Sequence, residues 1–266
     1  MAVFVDDSST APRFSQPPVT EIAIAVEFVP IQAFGPVRMI DLHRRLWAQD
    51  YPRVVEQPPL PPPAPEPGSV LAGVGLQIGS GVAPLRLWML SDDESQLLQL
   101  QHDRLILNWR KTDDHGAYPS YATLRKTFAA RWDAFASALP EKARPTMVEV
   151  TFVNRLPSDA KSGSLAGFLE SISDPQVPGN GVSTAFRYLS SIDRNEGGPG
   201  SVVVNAGAQR DVPATLTIAT RLGIARADQP ESSVIMDRLD TAHDLGVTTF
   251  VGLTPDTLHK KWGRTQ

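Results

Sequence analysis

Large apolar residues alternate with small or polar ones along two well-separated segments of the chain. Residues 21–30 read EIAIAVEFVP, with large apolar side chains at every second position from 22 to 28 and Glu27 on the opposite face. Residues 146–157, TMVEVTFVNRLP, repeat the alternation and place Glu149 on the polar face. This period of two predicts two strands that each bury one face.

Other segments have the period of an amphipathic helix. Residues 36–47 combine an apolar stripe with Pro36, which suits the first turn of a helix. Residues 118–140 predict the clearest helix, because large apolar residues recur at steps of four, four, three and four between Leu124 and Leu139. The tail, residues 241–263, also reads as mostly helical.

Several short apolar segments between these elements predict antiparallel strands. LRLWML, QLLQLQ and RLILNWRK follow one another with polar turns between them, which is typical of a meander. In the second half a short helix is predicted at 164–172. Four more strands are predicted at 184–193, 201–207, 214–224 and 232–240.

Each half therefore reads as strand, helix, meander and helix. The sequence predicts an α+β fold in which two similar antiparallel sheets pack into one compact unit, and it suggests a structural duplication. The predicted organisation is a flexible N-terminal segment at 1–18, a first half at 19–142 and a second half at 143–266.

The segment 56–68 has the most unusual composition, with seven prolines between Pro58 and Pro67. Proline cannot donate a backbone hydrogen bond to a sheet, so this segment is predicted to be extended and on the surface. A semi-rigid strap laid over aromatic side chains is the favoured interpretation. The alternative is a docking peptide for a proline-binding partner.

Composition and charge exclude several kinds of chemistry. The chain of 266 residues has no cysteine, which excludes disulfides, thiolate nucleophiles and zinc–thiolate sites. A formal net charge of −4 gives no overall positive field for nucleic acid, which is an unlikely partner by this measure. No secretory signal pattern and no apolar run of about 18 residues is present, so a cytoplasmic protein without membrane contact is expected.

No catalytic, metal or cofactor site emerges from the motifs. The serines near glycine at 79–83 and 161–167 lack a nucleophile elbow, and the five histidines lack the spacing of metal ligands. TDDHG at 112–116 could hold a divalent cation weakly, although a turn that caps the next helix is favoured.

The second face of the meander is the candidate binding surface, because amide and guanidinium groups on a rigid sheet suit a polar partner. Its residues are Gln99, Gln101, Arg104, Asn108 and Arg110. The alternative is an ordinary solvated face or an interface between the two halves. Glu27 and Glu149 are candidates for a cavity, since facing carboxylates would shift each other's pKa.

Four motifs together resemble a bacterial family of about 250 residues, sporadically distributed and of unknown function. They are YPRVVEQPPLPP (51–62), LLQLQHDRLILNWRK (97–111), YPSYATLRKTFAARW (118–132) and KKWG (260–263), with NRLP (154–157) as a looser match. The resemblance implies no catalytic residues. It suggests an accessory setting such as a defence or toxin-linked locus.

Three functions remain as hypotheses. The first is a non-enzymatic module that binds or regulates another protein. The second is a small-molecule binder or enzyme that uses a cavity between helix and sheet. The third is a binder of the nucleic-acid backbone, which requires a single basic stripe made of Arg104, Arg110, Lys111, Arg125, Lys126 and Arg131.

Overall fold

The structure is a computed structural model, and it describes residues 12–31, 34–61, 85–112, 118–157, 165–166, 168–170, 183–192, 199–209, 212–225 and 231–265. The strands are β1 (Val19–Phe28), β2 (Arg53–Gln57), β3 (Arg86–Leu90), β4 (Gln96–Gln101), β5 (Arg104–Arg110), β6 (Pro145–Arg155), β7 (Ser183–Ile192), β8 (Gly200–Gln209) and β9 (Val212–Gly223). The helices are α1 (Pro36–Leu46), α2 (Tyr121–Ala138), α3 (Ser232–Leu253) and α4 (Asp256–Lys261).

All nine strands belong to one antiparallel sheet, in the order β2-β3-β4-β5-β1-β6-β9-β8-β7. The α+β class is confirmed. The prediction of two separate sheets is wrong, because β1 and β6 pair with each other in register from Glu21–Val153 to Glu27–Met147. Each opening strand thus lies in the middle of the sheet, and the two halves share one continuous ladder.

The strand order repeats on the two sides of the central β1–β6 pair. Moving outward from β1, the next strand is the last strand of the first half, and the remaining strands follow in reverse sequence order. Moving outward from β6 gives the same arrangement, β9, then β8, then β7. The first half supplies five strands and the described second half supplies four.

Helices α1, α2 and α3 cover one face of this sheet, called here the helix face. The alternating apolar residues of β1 and β6, including Ile24 and Val150, are buried there. The stripe of α2 packs on them through Leu124, Phe128, Trp132 and Phe135, as its spacing predicts. The opposite face, called the open face, has no helix on it in the described chain.

Two helices begin at residues that suit a helix start, and Pro36 is the one that the sequence predicts. Pro36 occupies the first turn of α1, where its missing N–H costs no hydrogen bond. The Ser120 hydroxyl accepts a hydrogen bond from the Thr123 N–H and so caps α2. Helix α4 begins at Asp256, and Pro255 is the residue that precedes its first turn.

Two assignments in the second half need correction. Residues 232–240 form the start of α3 and are not a strand; Ile235, Met236 and Leu239 are buried at helical spacing against the sheet. Helical packing outweighs the local strand-like pattern here. The helix predicted at 164–172 is a single turn in its described part, with the Leu169 N–H bonded to the Leu165 carbonyl.

The N-terminal segment predicted to be flexible is partly fixed. The Ser15 N–H donates to the Gly263 carbonyl at 3.0 Å, and the Thr265 N–H donates to the Arg13 carbonyl at 2.9 Å. The Phe14 ring lies edge-on to Phe250 at 5.7 Å between ring centroids. Residues 12–16 therefore lie against the end of the chain, and residues 1–11 lie outside the described part.

Replacing Thr220 with valine is expected to raise the free energy of unfolding by about 1 kcal/mol. The Thr220 hydroxyl is fully buried on the helix face and has no hydrogen-bond partner. Valine keeps the shape and removes an unsatisfied polar group. Urea unfolding checks this, with Thr217→Val on the other face of β9 as control; a loss of stability in Thr220→Val would contradict it.

Candidate functional site

On the part of the open face formed by β4 and β5, the side chains form a polar layer. Gln99, Gln101, Arg104 and Asn108 all lie here, as predicted, but each is less than 10 % exposed. Gln99 bonds to Asn108, while Gln101 and Arg104 both bond to Asp103. The face is therefore not an ordinary solvated one at these four residues, and their role in binding a partner stays a prediction.

A chain of hydrogen bonds crosses four strands of this face. The Arg86 guanidinium and the Trp88 indole both donate to Gln99 Oε1, at 3.0 and 2.9 Å. Gln99 Nε2 then donates to Asn108 Oδ1, and Asn108 Nδ2 donates to Glu21 Oε1, both at 2.6 Å. Because arginine and tryptophan can only donate, they fix both amide orientations.

The proline-rich segment begins by crossing this face. Gln101 Oε1 accepts from the Leu60 N–H at 2.8 Å, and Gln101 Nε2 donates to the Leu60 carbonyl at 3.4 Å. The glutamine amide thus pairs with the backbone as a neighbouring strand would. Residues 56–57 belong to β2 and are not part of a strap, and residues 62–84 lie outside the described chain.

A cluster of charges joins the two halves at the middle of the open face. Arg104 donates two hydrogen bonds to Asp103, at 3.0 Å each, and lies 3.7 Å from Glu27. Arg221 of β9 lies 2.9 Å from Glu27 and 3.4 Å from Glu149. Glu27 and Glu149, the two candidates for a cavity, both lie beside this one arginine.

Burial raises the pKa of Glu27 above its ordinary value of 4.5, and the charges of Arg221 and Arg104 oppose that rise. The Glu27 side chain is only 14 % exposed. Arg221 was not among the predicted site residues. The alternation of β9 predicts only that Arg221 lies on the polar face of its strand. Its contact with Glu27 depends on the pairing of strands that are far apart in the sequence.

Arg110, the fifth predicted residue, is half-buried at the end of β5. Its Cζ lies 5.9 Å from the centre of the Trp88 ring, and Arg86 Cζ lies 5.4 Å from the same centre. Neither arginine has a carboxylate within 4 Å among the residues that the structure describes. Arg86 and Trp88 were missed from the sequence because their contacts depend on the β3–β4 register.

The basic stripe required for a nucleic-acid backbone binder does not form. Arg104 and Arg110 belong to the open face of the sheet. Arg125, Lys126 and Arg131 belong to α2, which packs on the helix face. The sheet itself lies between the two groups, because α2 packs on the face opposite to Arg104 and Arg110.

Thr254, His259 and Asp256 have the composition of a nucleophilic triad, which the sequence reading missed. His259 lies between them, with Nε2 2.8 Å from Thr254 Oγ1 and Nδ1 3.1 Å from Asp256 Oδ1. However, the Thr254 hydroxyl donates to the Phe250 carbonyl at 2.7 Å. The Thr254 hydroxyl proton is thus directed at a backbone carbonyl and not at His259, and the cluster ties together the corner between α3 and α4.

The remaining histidines and acids form no metal site in the described part of the chain. No three side chains of histidine, aspartate or glutamate there could hold a metal ion. His43 is buried and its Nε2 lies 2.8 Å from the Tyr51 carbonyl, as a satisfied core histidine. The TDDHG turn falls largely outside the described residues, which end at 112 and resume at 118.

The two outer strands of the sheet differ strongly. β2 has five residues, includes Arg53 and Glu56, and lies between Pro52 and Pro58. β7 has ten residues, no proline and one charged residue, Arg187. No described strand pairs with the outer side of β7.

None of the described helices combines the length and apolar character needed to cross a membrane. Comparison with known proteins yields no significant match: no family model, no curated protein and no solved structure corresponds to this chain.

Proposed function

We propose that this protein is a non-enzymatic binding module that takes up an extended segment of a partner protein as an additional strand along β7. The observation that carries the proposal is a ten-residue strand whose outer side pairs with no other strand of the described chain. Backbone hydrogen bonds to such an edge supply affinity, and alternate side chains supply specificity.

The strand order of the first half supports this proposal. Counted outward from the central pair, β7 takes the position in its half that β3 takes in the other. β3 is covered by β2 through five residue pairs, from Arg53–Leu90 to Gln57–Arg86. The described second half has no counterpart of β2, so a partner strand would complete the pattern of a structural duplication.

The composition of the two edges supports it as well. Short length, charges and flanking prolines protect an outer strand against pairing, and β2 has all three. β7 has none of them over 183–192 apart from Arg187. An unprotected long edge is a hazard unless a partner uses it.

The side chains of β7 define the partner segment. Tyr188 lies on the helix face and is 50 % exposed, next to half-buried Phe186. Arg187 is exposed on the open face. Because cross-strand neighbours contact each other directly, the partner segment would place apolar side chains beside Tyr188 and a carboxylate beside Arg187.

Photo-crosslinking from position 188 tests the proposal. We expect p-benzoylphenylalanine in place of Tyr188 to form an adduct with an extended segment of another protein in an extract of the source cells. The same group in place of Val37, which is 85 % exposed on α1, is the control and should form no such adduct.

A synthetic peptide of the captured segment then gives the quantitative test. It should slow amide exchange in β7 and bind about tenfold more weakly to Tyr188→Lys, because a lysine on an edge opposes pairing. Val37→Lys is the matched control and should bind normally. Equal adducts at both positions, no adduct at 188, or adducts only with a second copy of this chain would each contradict the proposal.

A further inference from the structure

Two arginines lie against one tryptophan ring on the open face of the first half. Arg86 Cζ and Arg110 Cζ are 5.4 and 5.9 Å from the centre of the Trp88 ring. The Trp88 Nε1–H donates to Gln99 Oε1 at 2.9 Å, which fixes the plane of the indole. The ring therefore holds both guanidinium groups in place by cation–π contact.

Arg86 and Arg110 each have one buried N–H group, at Nε, without a hydrogen-bond partner in the described chain. An unsatisfied buried donor costs about 1–3 kcal/mol, and native proteins contain few of them. Each of these two N–H groups is a donor for which the described residues supply no acceptor.

The charges of these arginines are also unmatched. Elsewhere on the open face, Arg104 and Arg221 each lie within 4 Å of two carboxylates. In the described chain neither Arg86 nor Arg110 has even one at that distance.

The acid opposite Arg110 in the strand register is bonded to another residue. Glu21 pairs with Arg110 in the register of β1 and β5. Its Oε1 accepts the short hydrogen bond from Asn108, at 2.6 Å. The amide chain from Gln99 to Asn108 thus holds this acid to the network rather than to Arg110.

The surroundings make the unmatched charge costly. Burial lowers the pKa of Arg86, and the positive charge of Arg104 lowers it further. Both effects disfavour a charged group that has no counterion. A bound anion would reverse them, since charge-assisted hydrogen bonds to guanidinium groups are about twice as strong as neutral ones.

We propose that Arg86, Trp88 and Arg110 form a binding site for an oxyanion, either a phosphate or a carboxylate group carried by a ligand. The planar guanidinium donates in a fork that matches the oxygens of both groups. The site lies on β3 and β5, across the sheet from β7, and does not depend on the strand-addition proposal.

Titration with two anions tests the site on the whole protein. Inorganic phosphate and succinate would be added separately, and the Nε–Hε resonances of Arg86 and Arg110 followed by NMR. We expect one of the anions to shift both resonances with a dissociation constant of about 1 mM or below. Phosphate alone would identify a phosphate ligand, and succinate would identify a carboxylate.

Arg110→Gln is the informative variant, because the Arg110 side chain makes no hydrogen bond within the described chain and its loss leaves the amide chain intact. Binding should weaken about fivefold or more, while near-ultraviolet circular dichroism stays unchanged. Arg44→Gln, an exposed residue of α1, is the charge-matched control and should bind normally. No shift with either anion, or equal weakening in both variants, would overturn the proposal.

Discussion

Replacing Arg221 with methionine is expected to lower the free energy of unfolding by about 2–4 kcal/mol at pH 7. Arg221 is the cation that both Glu27 and Glu149 share, and its side chain is 15 % exposed. Its removal leaves two carboxylates close together in a partly dehydrated site. Breaking a buried ion pair from one side leaves an uncompensated charge, which is the costly case.

The loss should depend on pH in a defined direction. The pKa of Glu27 is already raised by burial, against the opposing charge of Arg221. Without Arg221 it rises further. A raised folded-state pKa gives stability that is present below the ordinary value of 4.5 and is lost as the pH rises through the raised value. The variant should therefore be less impaired at pH 5 than at pH 7.

Urea unfolding at the two pH values measures this effect. Arg155→Met, an exposed change on the neighbouring strand β6, is the control and should cost little at either pH. Adding Glu27→Gln to Arg221→Met should restore part of the loss at pH 7. A loss that is equal at both pH values, or no rescue by Glu27→Gln, would contradict this account of the cluster.

Replacing Phe135 with alanine is expected to lower the free energy of unfolding by about 3–5 kcal/mol. The Phe135 ring is fully buried where α2 meets β1. Its centroid lies 5.3 Å from that of Phe28, 5.9 Å from Phe34 and 5.9 Å from Trp132. The cavity left by its removal would be lined by aromatic rings, which cannot readily move to fill it.

Chemical unfolding measures this second prediction. Val37→Ala, on the exposed side of α1, serves as control and should change the stability by less than about 0.5 kcal/mol. If Phe135→Ala cost less than about 1.5 kcal/mol, the packing of α2 on β1 described above would be wrong.

Local periodicity was sufficient for the elements with one clearly apolar face. β1 and α2 follow their predicted patterns, because alternate residues of a strand and every third or fourth residue of a helix share a face. Where the local pattern was ambiguous it failed. The residues at 232–240 fit a strand by composition, and packing against β6 and β9 makes them the start of α3.

For the candidate site residues, too, the sequence predicted the face of the sheet and not the contacts. Alternation correctly placed Gln99, Asn108 and Arg110 on one face. It could not say what would cover that face or which partner each amide would take. Those outcomes depend on Arg86 and Trp88 of the preceding strand β3, whose register is not fixed by alternation, and on Glu21, which is 87 positions away from Asn108.

The sequence by itself determined the elements whose apolar period is unambiguous, such as β1 and α2, since that period shows which residues share a buried side. Only the tertiary structure decided that both halves share one sheet and that Glu27 shares Arg221 with Glu149. It also decided that β7 is left with an unpaired side in the described chain. The physical reason is that strand pairing and register bring together residues nearly 200 positions apart, and the period of the apolar positions carries no information about such contacts.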